Sequence, residues 1–508
     1  MLRKIRIVLA TVMFAMITLL FLDVTGTLHR WLGWTARIQF LPALLALNVA
    51  VVVALIVITL LFGRIYCSVI CPLGIMQDIV SSLHDRIKKN RFRFSPAKNV
   101  LRYTVLVVFV ASLVGGIGAI VSLLAPYSSY GRIASNLFRP LWQYGNNVLA
   151  AIAERVDSYA FYSVDVWMKG LPTFIIALMT FIIIAVLAWR NGRTYCNTIC
   201  PVGTLLGFLS RRAWLKVHID TGKCNSCGRC GKNCKAAAID TKNHTVDYSR
   251  CVACGNCLEK CSQHAISFSH MPEKGGSDNT SGNISTDEKP SGSAQTDAPD
   301  NGRRSFLIGA ALAVGTAAVG QEKKKVDGGL AVIEDKVAPE RTTPLTPPGS
   351  LSAQHIAQHC TACQLCITAC PNGVLRPSTD ASTFMQPTMS YERGYCRPEC
   401  NRCSQVCPTE AIRPIKIEDK SATQIGHAVW IKKNCIPVSD GVPCGNCARH
   451  CPVGAITMVP LNDGEESLLM IPAVNESRCI GCGACENLCP SRPFSAIYVE
   501  GHEVHREI

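Results

Sequence analysis

The sequence predicts an α-helical four-helix transmembrane unit joined to small, cysteine-rich α+β domains, and three observations predict it. Four long uncharged apolar runs fall within the first 190 residues of the 508. Beyond residue 220, 24 of the 28 cysteines fall into six groups of four. A formal charge of +15 accompanies positive mean hydropathy, which fits basic loops between apolar spans better than a nucleic-acid-binding surface.

The helical unit comes first. Met1 to Arg6 is basic and precedes an uncharged run from Ile7 to Leu22. No small-residue cleavage site follows and three further spans do, so this is a retained helix rather than a signal peptide. Phe40 to Phe62 and Tyr103 to Ala125 have 23 uncharged residues each, and Leu171 to Trp189 has 19. Each is long enough to cross roughly 30 Å of hydrocarbon. From Arg64 to Arg102 there are eight Lys or Arg against two Asp, whereas Pro126 to Lys169 has four basic residues against three acidic. The positive-inside rule puts the first loop in the cytoplasm. The outer loop carries Tyr127, Tyr130, Trp142, Tyr144, Tyr159, Tyr162 and Trp167, which read first as an aromatic belt and second as the lining of a quinone pocket.

The unit contains an internal repeat. Arg64-Ile-Tyr-Cys-Ser-Val-Ile-Cys-Pro-Leu-Gly74 matches Arg193-Thr-Tyr-Cys-Asn-Thr-Ile-Cys-Pro-Val-Gly203. Two copies of one helix-pair module would bring Cys67, Cys71, Cys196 and Cys200 together at the cytoplasmic face. Four converging thiols could hold an extra iron-sulfur centre or cycle as dithiols; the plain alternative is that each Cys-Pro only ends a helix.

The six groups carry the clearest chemistry. Cys479, Cys482, Cys485 and Cys489 follow the C-x2-C-x2-C-x3-C-P spacing of bacterial ferredoxins, which holds [4Fe-4S] clusters with the fourth thiolate serving a neighbouring cluster. Cys224, Cys227, Cys230, Cys234 and Cys251, Cys254, Cys257, Cys261 form a two-cluster ferredoxin-like domain, although Lys235 and Ser262 stand where proline usually follows. Crossed ligation would join Cys261 to the first three and Cys234 to the second three. Three further groups are Cys360, Cys363, Cys366, Cys370; Cys396, Cys400, Cys403, Cys407; and Cys435, Cys444, Cys447, Cys451. The total expected is six [4Fe-4S] clusters, two N-terminal and four C-terminal. A disulfide scaffold is short and irregularly spaced, unlike these repeats.

Between the two cysteine-rich regions, Pro272 to Asn301 is nearly devoid of apolar residues and reads as a disordered tether. Arg303-Arg304-Ser305-Phe306-Leu307 and the Gly/Ala-rich run to Gly320 resemble a twin-arginine export signal. Export of an already folded domain suits clusters that must be built in a reducing compartment. The expected organisation is therefore a transmembrane unit (1–215), a cytoplasmic two-cluster domain (216–270), a linker (271–302), a signal or anchor (303–320), a second linker (321–350) and a four-cluster domain (351–508). No dinucleotide loop, P-loop or nucleophile motif competes as catalytic machinery. His355, His359, His502 and His505 read as packing or surface residues.

With these motifs laid out, the first 270 or so residues resemble the NapH/MauN-type membrane ferredoxins, and residues from about 303 onward resemble the NapG/MauM-type ferredoxins. The resemblance implies a fused, bacterial inner-membrane electron-transfer protein: quinol from the membrane pool is oxidised, and a periplasmic redox enzyme or cytochrome accepts the electrons, with no nucleic-acid partner. A resemblance to four-cluster electron-transfer subunits implies that outer groups pair with outer and inner with inner in the C-terminal domain, Cys489 serving the first cluster, Cys370 the last, Cys451 the second and Cys407 the third; sequential pairing is the alternative. A redox-sensing or assembly factor, and a cytoplasmic polyferredoxin, are the competing functional classes. In this arrangement both C-x3-C-P pairs and the first two clusters share the cytoplasmic side, so quinone or a partner must carry electrons to the exported clusters.

Overall fold

The computed structural model describes residues 2–23, 25–87, 92–158, 160–167, 169–270, 336–461 and 469–508. The expected tether, the twin-arginine segment and Tyr159 lie outside them.

Two of the four apolar runs form uninterrupted helices long and apolar enough to cross a membrane. These are α1 (Leu2–Leu22) and α12 (Leu171–Asn191), each 21 residues, or about 31 Å at 1.5 Å per residue. Two short helices, α2 (Thr27–Leu32) and α3 (Trp34–Arg37), follow α1. The other two runs are broken. Leu47 takes a φ of 51° between α4 (Phe40–Leu45) and α5 (Val49–Phe62), and Asn48 caps α5 by accepting from the Val51 amide at 3.3 Å. Gly116, at φ 71°, separates α8 (Asn99–Val114) from α9 (Gly118–Leu124). Backbone groups freed at the breaks are recaptured locally, Asn48 N–H donating to Ala43 and Ile117 N–H to Ser112. In place of four continuous spans, the structure has two continuous helices and two helix pairs.

The two crossing-length helices differ in what they bury: α1 buries Ile17, Leu20 and Phe21 beside Arg6 and Ala10, whereas α12 buries mainly small residues. Helix α12 buries Thr173, Ala177, Ile184 and Ala188, while Leu171, Ile175, Met179, Ile182, Ile183 and Val186 face outward. The repeat is visible as structure. Gly63 and Gly192 end α5 and α12 with φ of 73° and 68°, each followed by Arg, a short helix (α6, Tyr66–Val69; α13, Thr194–Thr198), Cys-Pro, and a second helix (α7, Pro72–Ile87; α14, Pro201–Ser210).

The loop after α9 divides its aromatic residues. In α10 (Pro126–Ile133), Tyr127 and Tyr130 are fully buried against Phe21, with ring centroids 6.0 and 6.3 Å away. Trp142 and Tyr144 on α11 (Arg139–Glu154), and Tyr162 beyond it, are exposed. Trp167 sits under two guanidinium groups, those of Arg376 and Arg393, at 4.8 and 4.4 Å.

Short antiparallel pairs frame the cysteine groups. In the first cysteine-rich domain, β1 (Leu215–Ile219) pairs with β4 (Ile266–His270), and the β2–β3 hairpin (Ile239–Asp240, Thr245–Val246) lies between the two groups. Nearer the C-terminus, β5 (Leu375–Pro377) and β6 (Pro387–Met389) lie between the first and second groups. The β8–β9 hairpin (Ile456–Pro460, Met470–Val474) lies between the third and fourth, and β7 (Thr423–Trp430) pairs with β10 (Ile497–Glu507) around them.

The two cysteine-rich regions contact different ends of α1 and α12. At one end Arg3 pairs with Glu259, and the Arg193 amide donates to Lys235 O at 2.8 Å. At the other, a Cβ on Gly26 would lie 2.9 Å from Arg402, and one on Gly170 would lie 3.2 Å from Pro377.

Candidate functional site

In the first domain the cysteines converge as crossed ligation requires. Cys224, Cys227, Cys230 and Cys261 line one cavity. Cys251 and Cys257 lie near Cys234, which lies near Cys254. Backbone conformation explains why these loops can wrap a cube: the residues flanking the second cysteine take positive φ in four groups, as Ser226/Gly228, Ala253/Gly255, Ala362/Gln364 and Gly481/Gly483. Successive amides then turn inward toward the sulfurs.

The C-terminal domain corrects the outer-with-outer expectation. Cys370 lines a cavity with Cys396, Cys400 and Cys403, and Cys451 lines another with Cys479, Cys482 and Cys485. Cys407 lies beside Cys360, Cys363 and Cys366, and Cys489 beside Cys435 and Cys447, with Cys444 in the same set. Pairing is therefore sequential. The reason is the β5–β6 and β8–β9 segments, which fold each group back on its immediate successor. Several fourth cysteines also accept a backbone N–H: Cys234 from Ala238 at 3.4 Å, Cys407 from Ile412 at 3.4 Å, Cys451 from Ala455 at 3.2 Å and Cys489 from Ala496 at 3.3 Å. Such bonds favour the thiolate and help set a cluster's potential.

Among the described residues no three His, Cys, Asp or Glu side chains converge tightly enough for a single metal ion. A four-iron cube spreads its thiolates farther apart than a lone tetrahedral ion with Zn–S of about 2.3 Å, so the cavity-lining quartets fit the larger group.

A further set of cysteines lies inside the helical unit. Cys67, Cys71, Cys196 and Cys200 are all buried in one core and close enough to interact with one another electrostatically. Each half completes the other. Arg64 donates to Cys196 O at 3.0 Å, while Arg193 donates to Cys67 O at 2.5 Å. Cys200 accepts from the Gly203 amide at 3.3 Å at the start of α14, and Gln77 donates to the Cys196 sulfur at 3.2 Å. Gly74 and Gly203 admit this crossing, since a Cβ on either would lie 2.2 or 2.3 Å from the carbonyl oxygen of Cys67 or Cys196. The Tyr195 hydroxyl, beside these thiols, donates to Leu124 O just before α10.

Spacing patterns do not reveal the group that docks the first domain on this core. Buried Asp78 accepts from Arg193 Nε at 2.7 Å and Arg6 Nη1 at 3.0 Å, and pairs with Lys235 Nζ at 2.5 Å. Burial alone would raise its carboxyl pKa, but the Arg193, Lys235 and Arg6 charges hold it well below the usual carboxylate range. Lys235 thus replaces the customary proline with an ammonium that docks the domain. Arg64 and Arg102 also donate to Ser249 O, at 3.0 and 3.3 Å.

Comparison with known proteins places these features in a family. Residues 359–411 and 442–492 match the 4Fe-4S dicluster domain, the first segment spanning two successive groups and the second the next two apart from Cys435. Residues 244–267 match a 4Fe-4S binding domain, and residues 44–91 and 172–221, the two copies of the repeat, each match another. The methylamine utilization ferredoxin-type protein MauM of Methylobacillus flagellatus is 32% identical over 167 residues, 32% of this chain and 70% of that protein. The ferredoxin-type protein NapG of Escherichia coli is 32% identical over 205 residues, 38% of this chain and 82% of that protein. Ferredoxin-type protein NapF of Escherichia coli is 31% identical over 160 residues, 31% and 87% of the two chains. No solved structure matches. The chain carries several 4Fe-4S binding domains, and it belongs to the ferredoxin-type iron-sulfur proteins of the MauM and NapG kind.

Proposed function

We propose that this is a multi-pass inner-membrane electron-transfer protein in which the 24 grouped cysteines hold six [4Fe-4S] clusters. Quinol is oxidised at the membrane unit, and the C-terminal domain delivers electrons to a periplasmic redox enzyme or cytochrome. The observation that carries the reading is that α1 and α12, of crossing length, have one cysteine-rich domain at one end and the other at the far end. The outward faces of Leu, Ile, Val and Met on α12 suit lipid, since helices in hydrocarbon associate through small and polar residues. The likeness to NapH/MauN-type membrane ferredoxins supports the quinol assignment. In this reading the first domain is cytoplasmic, and Arg303-Arg304 directs export of the second.

A place for the quinol headgroup is the cavity of about 510 Å³ bounded by Asn136, Arg139, Gln143, Lys169, Cys370 and Arg393. It opens beside a sulfur assigned to the second C-terminal cluster, and its cations would hold the oxygens of a quinol losing protons. Adding quinol to anaerobic membranes tests the reading: cluster absorbance should bleach within seconds. A tag after Ile508 should be protease-accessible in spheroplasts and protected in Arg303→Lys/Arg304→Lys. Failure to bleach removes the quinol assignment; protection of the tag in both proteins removes export.

A further inference from the structure

The buried cysteines of the repeat stand between the two cysteine-rich regions. On one side, Arg64 links them to the first domain: it lies 3.8 Å from the Cys67 sulfur, donates to Ser249 O and lies near Cys251. On the other, Tyr195 lies near Cys71, Cys196, Cys200 and Arg132, and Arg132 lies near Cys363. A Cβ on Gly131 would meet Cys363 O at 2.4 Å, so the first C-terminal group is pressed against α10. Tyr127 also lies near Cys363 and Cys407.

The set has the chemistry of an anionic centre. Arg64 and Arg193 are 0% and 1% exposed, and among the described residues Arg64 Nε, Arg193 Nη2 and Gln77 Oε1 have no hydrogen-bond partner. Buried cations with unspent donors call for negative charge nearby. Four thiolates around iron would supply it, held at the starts of α7 and α14, whose positive ends favour anions. Cys₄ ligation serves both two-iron and four-iron clusters.

From this arrangement we infer that Cys67, Cys71, Cys196 and Cys200 together bind one further iron-sulfur centre, shared between the two repeat halves, which relays single electrons between the Cys251 cluster and the Cys360 cluster. An electron entering from one cluster leaves to the other, with no proton or bond change at the thiolates and no net reaction. The order of centres becomes a single line through the helical unit, and quinone need not carry charge between its ends. Only the direction of that line across a bilayer rests on the membrane reading above.

The test uses the full chain purified anaerobically in detergent, with iron, acid-labile sulfide and electron paramagnetic resonance measured for the parent and for Cys71→Ser/Cys200→Ser. The expected result is loss of two or four irons per chain, by the two cluster types, and of one signal, with the remaining signals kept. Single Cys67→Ala serves if the double variant fails to accumulate, with the same expected loss. Equal iron in parent and variant, or alkylation of Cys67, Cys71, Cys196 or Cys200 in the native, anaerobic, iron-loaded parent, overturns the centre wherever the domains reside. In proteoliposomes, a membrane-impermeant reductant added on one side should bleach the parent fully and the variant only in part. Bleaching of the iron-depleted variant to the parent's extent overturns the relay. Complete cleavage of both the C-terminal tag and the first cysteine-rich domain by protease added only outside sealed vesicles removes the membrane reading and leaves the centre standing.

Discussion

Asp78 gathers three cations from three parts of the chain, α1, the second repeat and the first cysteine-rich domain, in a site where it is 8% exposed. Removing one partner of a buried charge network strands the others, typically at about 3–5 kcal/mol. Asp78→Ala should therefore lower the denaturation midpoint of the detergent-solubilised chain by that order and open the junction near Lys235 to protease, with Asp78→Asn milder. Gly483 makes a different demand: its φ is 76° and an added Cβ would lie 2.3 Å from the Tyr391 ring, whose hydroxyl donates to Gly481 O at 2.6 Å. Gly483→Ala should release iron from the Cys479 group while the first domain's clusters stay loaded, measured by iron content and resonance spectra. Gly481 and Gly483 were legible in the sequence as loop glycines. Asp78 was not, because a carboxylate in a mixed apolar helix has no spacing signature, and only the fold brings Arg6 and Lys235 to it.

At the level of elements, the β5–β6 and β8–β9 segments decide which cysteines share a cluster. The sequence contains the groups but not the fold-back, and the resemblance to other four-cluster subunits pointed to the wrong partners. Mixed variants check the sequential assignment: Cys370→Ser should remove the signal of the Cys396 cluster and leave the Cys479 cluster intact, and Cys451→Ser should do the reverse. The apolar runs were similarly legible in extent but not in continuity. Gly115-Gly116 announces one break, whereas the positive φ at Leu47 has no local signal. Strand β10 carries a pH dependence. Burial first, then the neighbouring His502 charge, pushes the His505 pKa down to about 4, while its Nε2 bonds Thr346 Oγ1 at 2.8 Å. The folded state then holds the neutral ring while the unfolded chain protonates near the ordinary histidine value, so this contribution is complete above pH 6.5 and is lost as pH falls toward 4. His505→Gln should flatten that part of the stability profile by on the order of 1 kcal/mol, measured as denaturation midpoint against pH.

On the scale of the whole chain, the contact of α10 with the first C-terminal group is close enough that only glycine fits at position 131. Asn136 also donates to Gln364 Oε1 at 2.8 Å, and Arg139 to Thr368 O at 2.6 Å. Gly131→Val should push the C-terminal domain off the helical unit, slowing electron exchange between the two sets of clusters while leaving total iron unchanged; stopped-flow bleaching and iron analysis report the two separately. Cysteine arithmetic and the internal repeat exposed both cysteine-rich regions and the duplicated module, and the twin-arginine motif set the two regions apart; the contacts that seat them at opposite ends of α1 and α12 were not legible, because they depend on where buried side chains meet. The duplicated module has a last consequence. Arg64 reaches the carbonyl of Cys196 and Arg193 that of Cys67, so each copy's arginine bonds a carbonyl of the other copy. An ancestor with a single copy would have made these contacts only as a homodimer, and gene duplication with fusion would have turned a twofold axis between subunits into one within a chain. Once the halves were covalently joined they were free to diverge, so that Asn197 now binds Ala236 O while Ser68, its counterpart, bonds back to Ile65 O.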